Sequence, residues 1–474
     1  MPLSTALTAL SSPLMNVDRE SYRDKKVILK AGGVVKMSDE QEKVLIQAIL
    51  DEGSKAGIAP LRIRIETDEY LTATTLDGIN ATLATTSSVK LFAAGILSGK
   101  LVDYTSDTPL APTPKDVVSG LKASLPNGRS YKPEWFTKPG ARLGKSDTYS
   151  SKLAAIPSEI VKKSALKVYM SAKAYSPKVD KVSATATLFK GRVLLISSDG
   201  LSLSYKRDSY GVGGEVEAKD GGEKASFADS RHFYKNLDSL DERAIGQALS
   251  GSALAKLGAQ KAKAGVSMAV LSPSVSAYLL RAATTHLSGT NIVGGKSVYA
   301  KDLGKDVFSP MVTVLNDPFM ASGHAKPFDG EGTPTEKFMA IDHGRLRCFF
   351  LDNECGELLG QKSNGCHGSF GCEAQYLVVT PSDGPATHLF NEAKEGVIVS
   401  EIAGKGKIDY DTLSFSLPFA GFAISSGLKS EPIMGEISGK LDELLKNVVS
   451  VSREREDCFG CFCPWFLVKD LKVD

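Results

Sequence analysis

Residues 38–78 read SDEQEKVLIQAILDEGSKAGIAPLRIRIETDEYLTATTLDG and begin with the signature of a helix start. Ser38 and Gln41 have the spacing of a capping box, in which each residue's side chain bonds the other's backbone N–H. The apolar residues that follow recur on one helical face, and Gly57 is a natural stop. The stretch therefore predicts a helix over 39–56.

The same stretch changes period after this helix. Ile63 and Ile65 alternate with charged residues, which predicts a strand with one apolar and one charged face. Further on, Asp77-Gly78 is typical of a tight hairpin turn between two strands. A helix beside hairpin-linked strands is the pattern of an α+β unit.

The rest of the chain continues this alternation of helical and strand patterns. Pro273 after a Ser272 cap is typical of a helix start. Helices are predicted over 240–263, 273–287 and 440–448, and strands over 80–91, 165–172, 182–189, 193–197, 201–207, 338–341, 345–351 and 465–473. Helices segregated from mostly antiparallel strands make this an α+β protein.

Four parts are predicted along the chain. Residues 1–37 form a mobile leader, and 38–107 form an N-terminal domain of one helix and an antiparallel sheet. Residues 108–230 form a middle domain, which starts with a proline-rich passage over 108–151. Residues 231–474 form a strand-rich, barrel-like C-terminal domain that carries all the cysteines.

Composition excludes several classes of function. The 474 residues include 57 Lys and Arg against 55 Asp and Glu, so the formal net charge is only +2. A nucleic-acid-binding protein normally has a basic excess or a basic stripe. No stretch of 18 consecutive apolar residues occurs, so a membrane-spanning helix is not predicted. We therefore expect neither nucleic acid nor a membrane as a partner.

The N-terminus and the cysteines point to one compartment. Residues 1–16 lack a basic region, and polar residues break their apolar stretch, unlike in a secretory signal. The seven cysteines all follow position 347, and an odd number without a signal peptide favours reduced thiols. The prediction is a cytoplasmic protein.

Several stretches, in order, resemble the TldD/PmbA family, specifically its PmbA (TldE) branch. They are FDGEGTPTEKFMAIDHGRLRCFFLD at 328–352, LLGQKSNG at 358–365, EGVIVSEIAG at 395–404, KLDELLKNVVSVSRE at 440–454 and WFLVKDLKV at 465–473. No single motif is very specific, but the ordered set is. The resemblance implies an N-terminal α+β unit, a middle unit and a long C-terminal unit.

The family's chemistry belongs to paired subunits. The TldD subunit resembles a zinc protease whose HExxxH motif lies on the helix that matches 273–287 here. In that helix two His and a later Cys would hold Zn²⁺, and the Glu would act as general base. This chain has Arg281 and Ala282 at the first His and Glu positions, and His286 at the second His position.

These substitutions predict a degenerate metal site. A catalytic zinc needs about three protein ligands and an open position, and Arg281 stays protonated and repels a dication. Ala282 cannot accept a proton. We therefore expect no catalytic residue and no cofactor in this chain. His286 is either a residual contact near the partner's site or a helix-end His bonded to the backbone.

The resemblance implies a structural role for such a subunit. It would pair with a TldD-like catalytic subunit that carries the zinc, and help to enclose a chamber where small, unfolded peptides are matured or degraded. A peptide would bind there as an added strand. Arg281 would hold a peptide carboxylate or carbonyl, or would form a structural ion pair with an acidic residue.

The chain departs from the family pattern at 412–422, which reads TLSFSLPFAGF. Many relatives have a sequence like TGDFSRGASGF there, with charged residues and a flexible glycine. Ser414 and Leu417 replace the charged residues, and Pro418 replaces the glycine. If this segment is a loop that touches substrate or partner, it would favour apolar substrate residues.

The cysteines form two clusters that are unusual for the family. Cys366 and Cys372 lie in GCHGSFGC, and Cys458, Cys461 and Cys463 lie in DCFGCFC. A zinc or iron–sulfur site is possible if the clusters meet, although the spacing is not that of a standard zinc finger. Simple thiols and redox pairing are the alternatives. On strand spacing, the last two cysteines face the same way.

Three functions remain open from the sequence. The first is the non-catalytic subunit of a heterodimeric zinc metalloprotease. The second is a peptide-binding or regulatory homodimer without protease activity, which the altered 412–422 segment and the added cysteines suggest. The third is a metalloprotein with its own activity at a cysteine-ligated site.

Overall fold

The computed structural model of this protein describes residues 38–76, 80–108, 112–140, 142–369, 371–458 and 460–474. The predicted leader and the Asp77-Gly78 turn lie outside these residues. The chain folds into two regions, each with a mostly antiparallel sheet and helices packed against it. This confirms the predicted α+β class.

The first region is a six-stranded antiparallel sheet with helices on one face. Its strands are β1 (Leu61–Leu76), β2 (Thr82–Leu97), β3 (Lys100–Thr108), β4 (Val179–Ser197), β5 (Ser202–Asp220) and β6 (Glu223–Phe233), in the order β3-β2-β1-β4-β5-β6. Its helices are α1 (Asp39–Lys55), α2 (Pro114–Ser124), α3 (Ser151–Ala154), α4 (Ser158–Lys173) and α5 (Glu242–Leu254). Strand β1 pairs with both β2 and β4, so it is an inner strand of the sheet.

Helix α1 and strand β1 form as the sequence predicts. The Gln41 N–H donates to Ser38 Oγ, and the Ser38 N–H donates to Gln41 Oε1, which completes the capping box. On β1 the side chains of Ile63 and Ile65 are fully buried in a core cluster that also contains apolar side chains of α1 and α2. The charged side chains of the same strand therefore point to the opposite face of the sheet.

The predicted division at 107/108 does not separate two folded bodies, because β1 pairs with β4 along most of its length. The division at 230/231 also differs, since α5 packs against α4 rather than in the C-terminal region. A Cβ on Gly246 of α5 would lie 2.1 Å from Ser171 Oγ of α4, so glycine permits this close helix contact. These contacts join segments that are far apart in the sequence, so no local sequence pattern predicts them.

One predicted strand is a helix. Residues 165–172 belong to α4, whose buried residues are Val161, Ser164, Ala165, Val168 and Ala172. This spacing of three, four and seven residues is helical rather than alternating. The small apolar residues lie against the sheet.

In the described residues, the second region contains one large sheet, a two-stranded hairpin and five α-helices. The sheet strands are β7 (Gln260–Lys261), β8 (Gly265–Leu271), β9 (Val314–Asn316), β10 (Phe338–Asp342), β11 (Arg345–Leu346), β14 (Leu377–Val379), β15 (Gly396–Ile402), β16 (Lys407–Ile408), β17 (Ser414–Ser425), β18 (Leu428–Lys440), β19 (Val448–Cys458) and β20 (Cys461–Val473). The hairpin strands are β12 (His367–Gly368) and β13 (Gly371–Cys372). The helices are α6 (Pro273–Thr284), α7 (Gly289–Val293), α8 (Asn353–Leu358), α9 (Ala386–Ala393) and α10 (Leu441–Lys446).

Five strands of this sheet close into a ring, which agrees with the predicted barrel-like character. The order is β20-β8-β15-β17-β18, and β18 pairs back to β20 at Ile437–Val473 and Ser438–Lys472. Helix α6 packs against the ring strands β15 and β20 and against β19, which pairs with β20. It begins as predicted, with Ser272 Oγ accepting the Val275 N–H at 3.4 Å. No helix in the described part of the chain is long and apolar enough to cross a membrane.

Strand β5 carries a buried carboxyl group, that of Asp208. The side chain of Asp208 is only 4 % exposed, and both of its oxygens accept the Ser150 N–H at 3.0 Å. Burial raises the pKa of Asp208 from 3.8 to about 6. The folded state therefore binds this proton more tightly than the unfolded state does.

We expect this carboxyl group to make stability pH-dependent. Because its pKa is higher in the folded state, it lowers the free energy of unfolding as pH rises from about 4 through about 6. Asp208→Asn removes this loss. The free energy of unfolding of the variant, relative to that of the wild type, should therefore be about 2 kcal/mol higher at pH 7 than at pH 4. Urea unfolding at both pH values measures the gain. Asp220→Asn, an exposed carboxylate on the same strand, is the control, and a pH-independent difference for Asp208→Asn would contradict the expectation.

Candidate functional site

A polar cavity of about 310 Å³ lies where the charged face of the first sheet meets the C-terminal region. Strands β1 and β5 supply one wall, and helix α6 contributes Arg281. Loops at 323–330, 367–369 and 373–375 supply the remaining lining. The cavity therefore combines residues from both regions of the fold, and helix α6 borders it through Arg281.

The sheet wall is an ion-pair network. Arg64 contacts Glu66 through Nε at 3.2 Å and donates from Nη1 to the Gly330 carbonyl at 3.0 Å. Arg207 donates from Nη2 to Asp68 Oδ1 at 2.8 Å and to Glu66 Oε2 at 3.1 Å. Burial would raise the pKa of Glu66, but the two guanidinium groups outweigh it and the pKa is lowered. These four charges compensate one another.

Arg281 differs from these wall residues. It is half-buried, and its Nη1 donates to the Gly460 carbonyl at 3.1 Å. Among the described residues no carboxylate oxygen lies within 4.0 Å of its guanidinium, so the alternative of a structural ion pair is not seen there. Burial lowers the pKa of Arg281, as expected for a cation removed from water.

Two further basic side chains share this end of the cavity. Burial lowers the pKa of Lys326, and no carboxylate of the described chain forms an ion pair with its ammonium group. The His324 side chain is exposed at the cavity. Loss of hydration there, followed by the positive charges of Arg281 and Lys326, lowers the pKa of His324. Glu373 also borders the cavity and attracts both cations at longer range. The two cations without direct acidic partners favour an anionic group in the cavity.

Helix α6 does not present zinc ligands to this cavity. Ala282 is fully buried in the apolar core. His286 is 1 % exposed in the turn after α6, where its Nε2 donates to the Tyr410 carbonyl at 2.5 Å and its Nδ1 accepts the Val298 N–H at 3.1 Å. Both ring nitrogens are therefore occupied by backbone groups. The Arg281 guanidinium and the Ala282 methyl group cannot bind a zinc ion, and both nitrogens of His286 are already hydrogen-bonded. These three residues therefore do not fit a catalytic zinc site.

The structure does not gather the predicted cysteine ligands into one cluster. Cys461 and Cys463 are fully buried, as their shared strand face predicts, and Cys458 lies opposite Cys461 where β19 meets β20. Burial, and then a hydrogen bond with Cys461, raises the pKa of Cys463. Cys366 is buried elsewhere, in the loop before β12. Cys372 lies instead beside Asp352 and Cys355, the one group of three potential metal ligands found within the described ranges.

A buried polar network joins the two regions beside the cavity. Arg62 of β1 contacts Glu331 Oε1 through Nη2 at 3.3 Å, and the Tyr131 hydroxyl donates to the same oxygen at 3.2 Å. The His367 ring lies 3.7 Å from Glu331 Oε1 and 3.2 Å from Asp352 Oδ2. The Glu331 carboxylate thus connects the first sheet to the loops of the C-terminal region.

The 412–422 segment is mostly strand β17 rather than a loop, which corrects the premise of the sequence interpretation. Leu417 is fully buried in the core, so it cannot contact a substrate. Pro418 lies opposite Glu436 of β18, and its carbonyl accepts the Ala403 N–H at 2.8 Å. The apolar replacements therefore serve packing of the strand ring.

Comparison with known proteins identifies the family. A family model of the PmbA/TldA metallopeptidase C-terminal domain matches residues 264–474, and one of the central domain matches 152–257. The two matches together cover two thirds of the chain. This chain therefore belongs to the PmbA/TldD family, in its PmbA branch.

Curated relatives carry the same family names. The chain is 28% identical over 196 residues to Metalloprotease PmbA of Escherichia coli O157:H7, covering 40% of this chain and 42% of that protein. It is 24% identical over 263 residues to the PmbA homologue of Buchnera aphidicola subsp. Baizongia pistaciae, covering 54% and 57%. A TldD homologue from Buchnera aphidicola subsp. Acyrthosiphon pisum is 28% identical over 215 residues, covering 42% and 44%. The chain spans about half the length of the curated relatives it matches.

Solved structures share the fold. TldE from Thermococcus kodakarensis superimposes with a TM-score of 0.76 at 18% identity, covering 90% of this chain and 99% of that one. A Thermotoga maritima MSB8 protein, described as a candidate modulator of DNA gyrase, gives 0.81 at 19% identity and covers 91% and 100%. At these identities the likeness concerns the fold alone.

Sequence reasoning identified Arg281 but not most of the cavity around it. The alternation on β1 predicted a charged face, which the structure places against the cavity. Lys326, His324 and Glu331 are irregular loop residues, and no periodic pattern or motif singles them out. The acidic stretch at 328–331 supported the family resemblance without indicating that it contacts the first sheet.

Proposed function

We propose that this chain is the non-catalytic, PmbA-type subunit of a heterodimeric metalloprotease. In this proposal a TldD-like partner supplies the zinc and the general base, and both subunits act in the cytoplasm. The observation that carries the proposal is Arg281, a guanidinium at the cavity on the helix that would carry zinc ligands in a TldD-like subunit. The buried Ala282 and the backbone-bonded His286 support it.

The role proposed for the cavity is to hold a small, unfolded peptide. Arg281 and Lys326 provide two positive charges without direct acidic partners, which suits a peptide carboxylate. The ion-pair network on the sheet fixes one wall of the cavity. Maturation of ribosomally made peptides and degradation of small proteins both fit this chemistry.

A peptide-binding or regulatory homodimer is the second candidate function. The observation that favours it is the basic end of the cavity, because Arg281 and Lys326 can bind a peptide carboxylate without a zinc ion or a general base. Such a cavity could bind a peptide without a catalytic partner.

Reconstitution distinguishes the two candidates. The purified chain, a TldD-like partner and their equimolar mixture are each assayed with fluorogenic unstructured peptides. We expect the mixture to cleave at least about a hundredfold faster than this chain alone, because this chain lacks the catalytic groups. Size-exclusion chromatography should show a heterodimer. Cleavage by this chain alone, or a stable homodimer that ignores the partner, would contradict the proposal.

Arg281→Gln tests the role of the cavity in the same mixture. Loss of one charge-assisted hydrogen bond costs about 1.5–3 kcal/mol, so peptide affinity should fall by at least about tenfold. The change should appear in KM or in peptide binding measured by fluorescence anisotropy. Arg347→Gln, which removes an exposed ion pair with Asp342, is the matched control. Equal affinity for both variants would exclude Arg281 from peptide binding.

A further inference from the structure

Three soft or anionic side chains meet away from helix α6. Asp352, Cys355 and Cys372 each offer one ligand atom, and these atoms lie within 4.8 Å of one another. Each of the three residues is only 5 % exposed. The cluster is therefore preformed and enclosed by the fold.

Two structural elements build this cluster. Asp352 and Cys355 lie at the start of α8, where Asp352 Oδ1 accepts the Cys355 N–H at 2.8 Å. Cys372 comes from the β12–β13 hairpin, where it pairs directly with His367. The hairpin is anchored to α7, because the Cys372 N–H donates to Thr290 Oγ1 at 2.9 Å. The ligand atoms are thus brought together by backbone that is itself fixed.

Surrounding groups support the ligand atoms as they do in metal sites. The Asp352 N–H donates to Cys372 Sγ at 3.2 Å, a contact that stabilises a thiolate. His367 Nδ1 lies 3.2 Å from the second oxygen of Asp352 and orients that carboxylate. By contrast, the buried pair Cys461 and Cys463 has no third ligand within reach among the described residues.

We propose that Asp352, Cys355 and Cys372 bind a thiolate-preferring divalent metal ion, Zn²⁺ before others. Two sulfur ligands and one oxygen ligand suit tetrahedral Zn²⁺ and disfavour Mg²⁺ or Ca²⁺, which prefer oxygen alone. A water molecule completes the coordination, while His367 stays bonded to the second oxygen of Asp352. The two thiol protons are released to solvent when the metal binds. This site is separate from the α6 position that a TldD-like subunit would use.

The metal would act as a structural link. It would join α8 to the β12–β13 hairpin, and His367 and Gly368 of that hairpin line the cavity. A ligand that binds only the folded state stabilises it. The site would therefore hold one side of the cavity in place without taking part in catalysis.

Metal analysis of the full-length chain tests this proposal. Protein purified anaerobically with a non-chelating reductant is measured by mass spectrometry, and a Co²⁺-substituted sample is measured by absorption. We expect about one equivalent of metal and a sulfur-to-cobalt charge-transfer band in the near ultraviolet. Cys355→Ser and Cys372→Ser should each lower metal affinity at least about a hundredfold. Cys348→Ser and Cys458→Ser, at partly exposed cysteines, are matched controls that should retain the metal.

A second measurement covers the possibility that the variants fold poorly. Thermal unfolding of the wild-type chain should shift down by several degrees after a zinc chelator is added and recover with Zn²⁺. Four results would overturn the proposal: no metal in reduced protein, a Co²⁺ spectrum without the charge-transfer band, metal loss in the control variants, or a Cys355–Cys372 disulfide in place of a metal.

Discussion

We expect the double variant Arg281→His plus Ala282→Glu to lose stability without gaining a zinc site, although it restores the HExxxH pattern with His286. Ala282 is fully buried among apolar side chains, so a glutamate there places a carboxylate in the core. An unpaired buried charge of this kind should lower the free energy of unfolding by about 4 kcal/mol. His286 would also have to release two backbone partners before it could bind a metal.

Urea unfolding and zinc content together measure this result. Arg281→His alone should cost far less, because position 281 borders the cavity and is only half-buried. Ser274→Glu is the matched control for an added carboxylate, since it lies at the partly exposed start of the same helix. Stoichiometric zinc and unchanged stability in the double variant would show that α6 retains a usable site.

Glu331→Ala should cause a comparable loss of stability for a different reason. Its carboxylate is the shared partner of Arg62, Tyr131 and His367 at the contact between the two regions. The side chains of Arg62 and Glu331 are 9% and 5% exposed, so truncation leaves a buried guanidinium without its counter-ion. Breaking a buried ion pair in this way costs about 3–5 kcal/mol.

The control for this variant lies in the same loop. Glu336→Ala removes the ion pair with Lys362. The Glu336 side chain is 47% exposed and the Lys362 side chain 85%, so the free energy of unfolding should change by no more than about 1 kcal/mol. Urea unfolding followed by tryptophan fluorescence reports on the contact, because Trp135 lies in the adjacent apolar cluster with Tyr131. Similar losses for both variants would mean that the Glu331 network contributes no more than a surface pair.

Local signals explain which parts of the fold could be predicted. The capping box of α1, the alternation on β1 and the Ser272-Pro273 start of α6 depend on neighbouring residues, and all three appear in the structure. The strand prediction for residues 165–172 is wrong because a short apolar run fits either period, and the helical spacing is clear only when Val161 is included. The joining of β1 to β4 depends on pairing across a long separation in sequence, for which no local pattern exists.

The residues of the candidate site also differ in whether the sequence could predict them. Arg281 could be identified because a motif fixes its position on a helix. Lys326 and His324 could not, because they reach the cavity from an irregular loop whose path depends on the whole fold. The Cys355 partner of Cys372 was also missed, since a helix start and a hairpin bring the two together only in three dimensions.

Strand β1 gives the protein an uneven tolerance to mutation. Its even and odd positions serve different purposes, because Ile63 and Ile65 pack against the core cluster while Arg64 and Glu66 form the cavity wall. A point substitution on one face leaves the other intact, so the two surfaces can diverge independently. A single-residue insertion or deletion would exchange them and place guanidinium groups in the core. Sequence drift in this strand is therefore confined to replacements of constant length.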